Sequence, residues 1–302
     1  MKDVSTQGMR TREIEEVTNL YVIHPASRFC VRHFARWGVH PNAVSVAGMV
    51  LGAGAAAAYY HYAAWPMAAL GFALMLGWHV MDGADGQLAR LTGKTSEIGK
   101  VLDGLCDHGT FTLVYAALAV ALTPALGGGV WVLAALAGAS HLVQASAYEF
   151  QRQAYDYWVH GKASARIVAP AELREEMRSR RGAAAVFGRL LLWYTALQHR
   201  FAGVDDARLR RLDARIAAGD HDVRDAYRTI HAAGVRRWAL LCSNYRTVAI
   251  FAACLAGFPA AFFVFEIVVL NAVLVGLTRM QHRNNARLDG WLAAHAVRTH
   301  AA

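Results

Sequence analysis

The 302-residue chain holds 31 Lys and Arg against 22 Asp and Glu, a formal net charge of +9, and 56% of its residues are hydrophobic. A mean hydropathy of +0.24 is too apolar for an ordinary soluble domain and implies several membrane spans. The basic surplus then lies outside the lipid, where it suits anionic headgroups and phosphorylated substrates; no aromatic-interleaved basic patch or nucleic-acid-binding module is present, so nucleic acid is not an expected partner.

The first 40 residues are mixed and polar, with no apolar h-region, so no cleaved signal peptide is expected. Within them Arg28, Arg32 and Arg36 recur every fourth residue on one helical face, while Phe29, Phe34 and Trp37 fall on others and Gly38 is placed to end the helix. This reads as an amphipathic helix in the headgroup layer, the alternative being a solvated helix packed on the protein's own surface.

Six apolar stretches follow, at 42–61, 65–88, 98–123, 130–150, 238–257 and 260–278. Each is near the ~20 residues a helix needs to cross ~30 Å of hydrocarbon. The connections after the first, third and fifth stretches are short, lack Lys and Arg, and carry Pro66, Pro124 and Pro259 as helix-stopping residues. Between the fourth and fifth stretches, 151–237 holds 17 Lys and Arg against 10 Asp and Glu. By the positive-inside rule both termini, the 2–3 loop and this long segment face the cytoplasm, and Arg279 and Arg283 beside the last stretch agree.

The expected fold is therefore all-α and polytopic. Its parts are an interfacial N-terminal segment (1–40), spans one to four (41–150), a helical cytoplasmic insertion (151–237), and spans five and six with a tail (238–302). Pro170 and Glu172 suit a helix start in the insertion, and Ala183–Gln198 is apolar enough to dock on protein or membrane. Cys30, Cys106, Cys242 and Cys254 form no CxxC pair or zinc-spaced cluster and read as reduced, mostly buried residues.

The chemistry concentrates where the second and third spans meet. An aspartate at the centre of a membrane helix costs about 2.5–3.5 kcal/mol, so four unpaired ones would be prohibitive. Asp82 and Asp85 instead fall towards the end of the second span, and Asp103 and Asp107 towards the start of the third. Spacings of i,i+3 and i,i+4 put each pair on one helix face, so antiparallel neighbours would bring four carboxylates to one depth. Carboxylates so close need cations, and Mg²⁺ or Mn²⁺ match an all-oxygen set. Gly86 and Ala89 leave space for a ligand against the backbone, and Arg90 offers a fork for phosphate.

The run D-x2-D-G-x2-A-R-x8-G-x3-D-x3-D, met by Asp82, Asp85, Gly86, Ala89, Arg90, Gly99, Asp103 and Asp107, resembles the signature of the CDP-alcohol phosphotransferases. Eight specified residues at fixed spacing match by chance at far below about one in a million. Pro41, Asn42 and Ser45 resemble the start of the same family's core. The resemblance covers the membrane core and not 151–237.

It implies transfer of a phospho-alcohol group from a CDP-linked lipid, such as CDP-diacylglycerol, to a hydroxyl acceptor in phospholipid synthesis. It further implies a pair of divalent ions on Asp82, Asp85, Asp103 and Asp107, Asp107 as general base, and a homodimer. Asp82, Asp85, Gly86, Ala89, Arg90 and Gly99 would contact the cytidine diphosphate. The acceptor would be a polyol or polyol phosphate, such as inositol phosphate or glycerol phosphate, with an amino alcohol or lipid hydroxyl as the alternative. Relatives using such phosphates often carry Ser-Tyr-x-Arg-Ala-Arg after the fourth span, where this chain has Ser146-Ala147-Tyr148-Glu149-Phe150-Gln151-Arg152. Arg152, Lys162, Arg166 and Arg246 remain candidates for an acceptor phosphate, the plainer role being ordinary snorkelling.

Other features carry less. His108 and His141 read as hydrogen-bonded structural residues, and Glu266 and Asn271 as helix bridges. Gly93-Lys94-Thr95-Ser96 imitates the end of a P-loop but has Leu88 where the earlier glycine belongs. A proton-coupled transporter would also use intramembrane aspartates, yet it predicts midplane carboxylates and two related halves, and no repeat is seen. A non-catalytic scaffold leaves the aspartate set unexplained.

Overall fold

The computed structural model describes residues 13–94, 97–162, 165–178, 181–202, 206–218 and 220–296. The described residues are 87% helical, with no strand among them. Among the described residues, six helical stretches are long and apolar enough to cross a membrane: Pro41–Tyr60, Trp65–Thr92, Cys106–Leu126, Gly129–Trp158, His221–Leu255 and Ala260–His295. Large apolar side chains stand exposed along them, Val50, Trp65, Val132 and Val268 each by 60% or more. Such a surface suits lipid and not water. The expected all-α, six-span architecture is what the structure has.

The chain divides into two compact units, 1–142 with 242–270, and 143–241 with 271–302. In the first, a short π-helical turn at Asn19–Ile23 leads into α1 (His24–Arg36), which ends before Gly38 at φ 67°. Helices α2 (Pro41–Tyr60), α3 (Trp65–Thr92), α4 (Glu97–Leu126) and the first half of α5 (Gly129–Trp158) follow. The unit closes with α10 (Ser243–Leu255), α11 (Ala260–Val264) and a π-helical stretch at Phe265–Leu270.

Pro41 opens α2 behind an N-cap at His40, whose ring Nδ1 accepts from the Asn42 N–H. The connecting prolines act differently from one another. Pro66 begins α3, Pro124 lies inside the last turn of α4, and Pro259 caps α11; α4 stops at Gly127, where φ is 69°.

Small residues set how closely the first unit packs. An added Cβ at Gly52 of α2 would lie 2.5 Å from the Thr110 side chain of α4, so these helices touch almost backbone to side chain. Gly83 of α3 likewise accepts Ser27 of α1, whose hydroxyl donates to the Val80 carbonyl at 2.9 Å. The α1 face carrying Ser27 and Val31 is thus buried on α3, while Phe29 and Trp37 are exposed. The apolar core runs through Tyr59, Met75, Trp78, Val114, Leu118 and Phe263.

Two breaks depart from the expected straight spans. A 3₁₀ helix at Arg236–Leu241 interrupts the fifth stretch, leaving α10 only 13 residues long. The sixth stretch passes through the π turn at Phe265–Leu270. Several helices also outrun their apolar stretches: α3 reaches Thr92, α5 reaches Trp158, and α12 (Asn271–Ala296) continues well past residue 278.

The second unit contains the far half of α5, α12, and four helices of the insertion: α6 (Pro170–Met177), α7 (Ala183–Ala202), α8 (Asp206–Ala217) and α9 (His221–Val235). Asp220 caps α9 by accepting from the Val223 N–H. The interior is aromatic, with Trp158 against Tyr227 at 5.0 Å and Tyr227 stacked on His231 at 4.1 Å. Arg208 of α8 is ion-paired with Asp289 of α12, and Arg215 of α8 lies 5.3 Å over the Trp291 ring.

Candidate active site

The last turns of α3 carry Asp82, Asp85, Gly86, Ala89 and Arg90 on an unbroken helix that stops at Gly93, φ 68°. Asp85 is 5% exposed, and a buried carboxylate needs donors. It has two: the Ser45 hydroxyl of α2 donates to Oδ2, and the Gly86 N–H donates to Oδ1. Asp82, one turn earlier on the same helix, is partly buried.

Gly86 has a specific geometric role. A Cβ there would meet Nη1 of Arg90 at 3.3 Å, so the guanidinium lies against the bare backbone of the preceding turn. The charge is thereby held along the helix towards the aspartates. Ala84 and Leu88, on the opposite face, pack with Val31 and Val44 and fix the rotation of α3.

Asp103 and Asp107 stand one turn apart near the start of α4, as the spacing predicts, and Asp107 is partly buried. The side chains of residues 97–105 lie outside the described residues, so the expectations for Asp103 and Gly99 fall there. Among the described residues no three His, Cys, Asp or Glu side chains gather as a metal site. The donors present nevertheless have the chemistry a hard divalent ion takes: carboxylate oxygens, one of them buried and oriented by two hydrogen bonds.

The four acceptor-binding candidates are placed individually. In the second unit Arg152 is paired with Glu149, Lys162 with Asp156 at 2.9 Å, and Arg166 with Glu172 at 3.1 Å. Arg246 of α10, in the first unit, is fully buried. Its Nε donates to Glu266 at 3.0 Å and its Nη1 to the Cys242 carbonyl at 3.0 Å, while Tyr115 donates to Glu266 at 3.3 Å. His141 joins this network through the Tyr115 hydroxyl at 3.2 Å. Asn271, in the second unit, accepts from Gln144 at 2.8 Å.

Two partners were not legible as such. Ser45 stood out for resembling the start of the family's core, not as a partner of Asp85, and the contact between them spans 40 residues. Glu266 gave no sign of which basic residue it would meet, though a carboxylate in an apolar stretch signals that some partner exists.

Residues 38–175 match the model of a family described as CDP-alcohol phosphatidyltransferase. The match spans α2 to α5 and most of α6, and it contains the whole run from Asp82 to Asp107. No curated protein matches the chain in a sequence comparison. The match supports a transferase over the transporter alternative. Over residues 38–175, a little under half of its length, the chain is similar to the CDP-alcohol phosphatidyltransferase family.

Proposed function

We propose that the chain moves a phosphatidyl group from a lipid CDP-alcohol, such as CDP-diacylglycerol, to a hydroxyl acceptor, releasing CMP. The observation supporting it most is the complete eight-residue motif on α3 and α4, with Asp85 buried and held by Ser45 and Gly86.

Asp82, Asp85, Asp103 and Asp107 would hold Mg²⁺ or Mn²⁺, two ions in this reading. Bound there, such ions neutralise the pyrophosphate and the departing CMP. Gly86 and Ala89 leave room for the cytidine diphosphate against α3, with Gly99 on the facing helix. Arg90 directs its guanidinium at a phosphate oxygen. Asp107 takes the proton of the acceptor hydroxyl as that oxygen bonds to the β-phosphorus. The bond from that phosphorus to the bridging oxygen breaks, and CMP leaves with the electron pair. The reading places this chemistry at the cytoplasmic membrane surface, in a homodimer.

A second reading concerns the acceptor, and one observation favours it. Arg152, Lys162, Arg166 and Arg246 are each already paired with a carboxylate. A phosphorylated acceptor would have to displace those partners, whereas an uncharged polyol, amino alcohol or lipid hydroxyl would not. Purified protein with CDP-diacylglycerol and Mg²⁺, offered inositol phosphate, glycerol phosphate, serine, inositol or a diglyceride, separates the two. CMP release with inositol phosphate or glycerol phosphate supports the phosphate acceptor. Release only with the others supports the second reading, and none with any acceptor sinks both.

A further inference from the structure

The second unit carries a groove of about 530 Å³ between α12 and the preceding 3₁₀ helix. One part of its wall is basic: Arg279, Arg283 and Arg287 recur every fourth residue along one face of α12, Arg237 comes from the 3₁₀ helix, and Asn284 lies among them. The other part is apolar, formed by Val273, Gly276, Leu277 and Met280. Position decides the polarity of the groove. Val273 to Leu277 end the last apolar stretch, and the arginines begin immediately after it.

The charge here is uncompensated. All four arginines are exposed, and among the described residues none is paired with a carboxylate. That sets them apart from Arg152, Arg166, Arg208, Arg215 and Arg246, each of which has an acidic partner. Asp289, the acidic side chain of α12 close by in sequence, is engaged by Arg208. Asn284 is the second signal. It lines the groove at 8% exposure, with its Nδ2 near Gly234 of α9, so its carboxamide adds a neutral polar group to the basic wall. Gly276 is open, since an added Cβ would meet nothing within 4 Å.

Four guanidinium groups without a carboxylate partner among the described residues, beside the Asn284 carboxamide, make a receptor for phosphate oxygens. The adjoining apolar wall selects the source of that phosphate. A free anion would use only the basic part, whereas a phospholipid places its headgroup on the arginines and its glycerol and upper acyl carbons along Val273, Gly276 and Leu277. We propose that this groove binds an anionic phospholipid through its headgroup phosphate. The site shares no residue with the catalytic reading and stands or falls separately from it.

The test is native mass spectrometry of the full chain in detergent, with equal amounts of phosphatidylglycerol and phosphatidylcholine added. Phosphatidylglycerol should be retained preferentially. Arg283→Gln with Arg287→Gln should weaken its binding about five-fold per charge removed, roughly twenty-five-fold in all. Phosphatidylcholine retention should not change, and millimolar inorganic phosphate should not displace the lipid. Gly276→Leu, which fills the apolar part and leaves every charge in place, should also reduce retention, and it decides the matter if the double variant fails to fold. Equal retention of both lipids, or unaltered phosphatidylglycerol binding in the folded double variant or in Gly276→Leu, overturns the proposal. Displacement by inorganic phosphate also overturns it, assigning the groove to a free anion.

Discussion

Asp85 and Glu266 are both nearly or fully buried carboxylates in apolar stretches, and their surroundings assign them opposite parts. Glu266 is fully matched by the Arg246 guanidinium and the Tyr115 hydroxyl, so its charge is spent on joining α10 to the π turn and α4. Asp85 has only two neutral donors, Ser45 and Gly86, which orient the carboxylate without neutralising it. In the proposed function that charge serves a divalent cation. Removing one side of the Arg246 pair leaves a buried charge alone, which typically costs about 3–5 kcal/mol. Glu266→Ala should therefore lower the melting temperature of the detergent-solubilised protein sharply, and Glu266→Ala with Arg246→Met should recover much of the loss. Ser45→Ala should act on the ion instead. Losing a hydrogen bond to a metal-holding carboxylate commonly weakens metal affinity about 10–100-fold. The Mg²⁺ concentration for half-maximal CMP release should rise accordingly, with the melting temperature of the metal-free protein little changed.

At the scale of elements, the pattern of apolar stretches announced the helices, and the fixed spacing of Asp82, Asp85, Asp103 and Asp107 marked the two to which the proposed chemistry is assigned. Both signals are local, because a helix repeats within four residues. What escaped depended on distant partners. The 3₁₀ break at Arg236–Leu241 and the π turn around Glu266 sit within stretches that read as continuous spans. Arg246 was a candidate for acceptor phosphate because a lone arginine in an apolar run needs an anion; its anion is Glu266, 20 residues on.

The N-terminal segment shows the same dependence. Before the π-helical turn, Glu16 is almost fully buried and accepts from the Asn244 side chain of α10 at 2.9 Å and from the Asn19 N–H at 3.0 Å, with Thr18 donating as well. Burial alone would raise its pKa, but the donors Thr18, Asn244 and Asn19 outweigh it and hold the carboxyl below its ordinary value. A depressed carboxyl adds stability that is complete above the ordinary value and disappears as pH falls through the folded one. The melting-temperature advantage of wild type over Glu16→Gln should thus be constant from about pH 7 to 5 and shrink below about pH 4. An advantage that grows on acidification would contradict this account of the segment.

For the whole molecule, the two units divide the sequence unevenly between signals. The first holds the motif, whose residue types and spacing are specific enough to read unaided. The second is built from the far half of α5, the rest of the 151–237 insertion and α12. Its helices were expected; its aromatic interior and the pairing of Arg208 with Asp289 across 81 residues were not. Periodicity tells that a basic segment is helical without telling which acid each base will meet. That Arg237, Arg279, Arg283 and Arg287 share one groove with no carboxylate partner among the described residues emerges only from the folded chain.

The central claim is that the aspartates of α3 and α4 run a CDP-alcohol transfer, and CMP release from CDP-diacylglycerol tests it most directly. Wild-type protein with Mg²⁺ and the acceptor panel should release CMP only when a competent acceptor is present, and EDTA should abolish release until Mg²⁺ is restored. Asp107→Asn should lower turnover by about 10²–10⁴, the range for a positioned general base, while still binding the donor. Acceptor-dependent release that persists undiminished in Asp107→Asn, or in EDTA, would contradict the account.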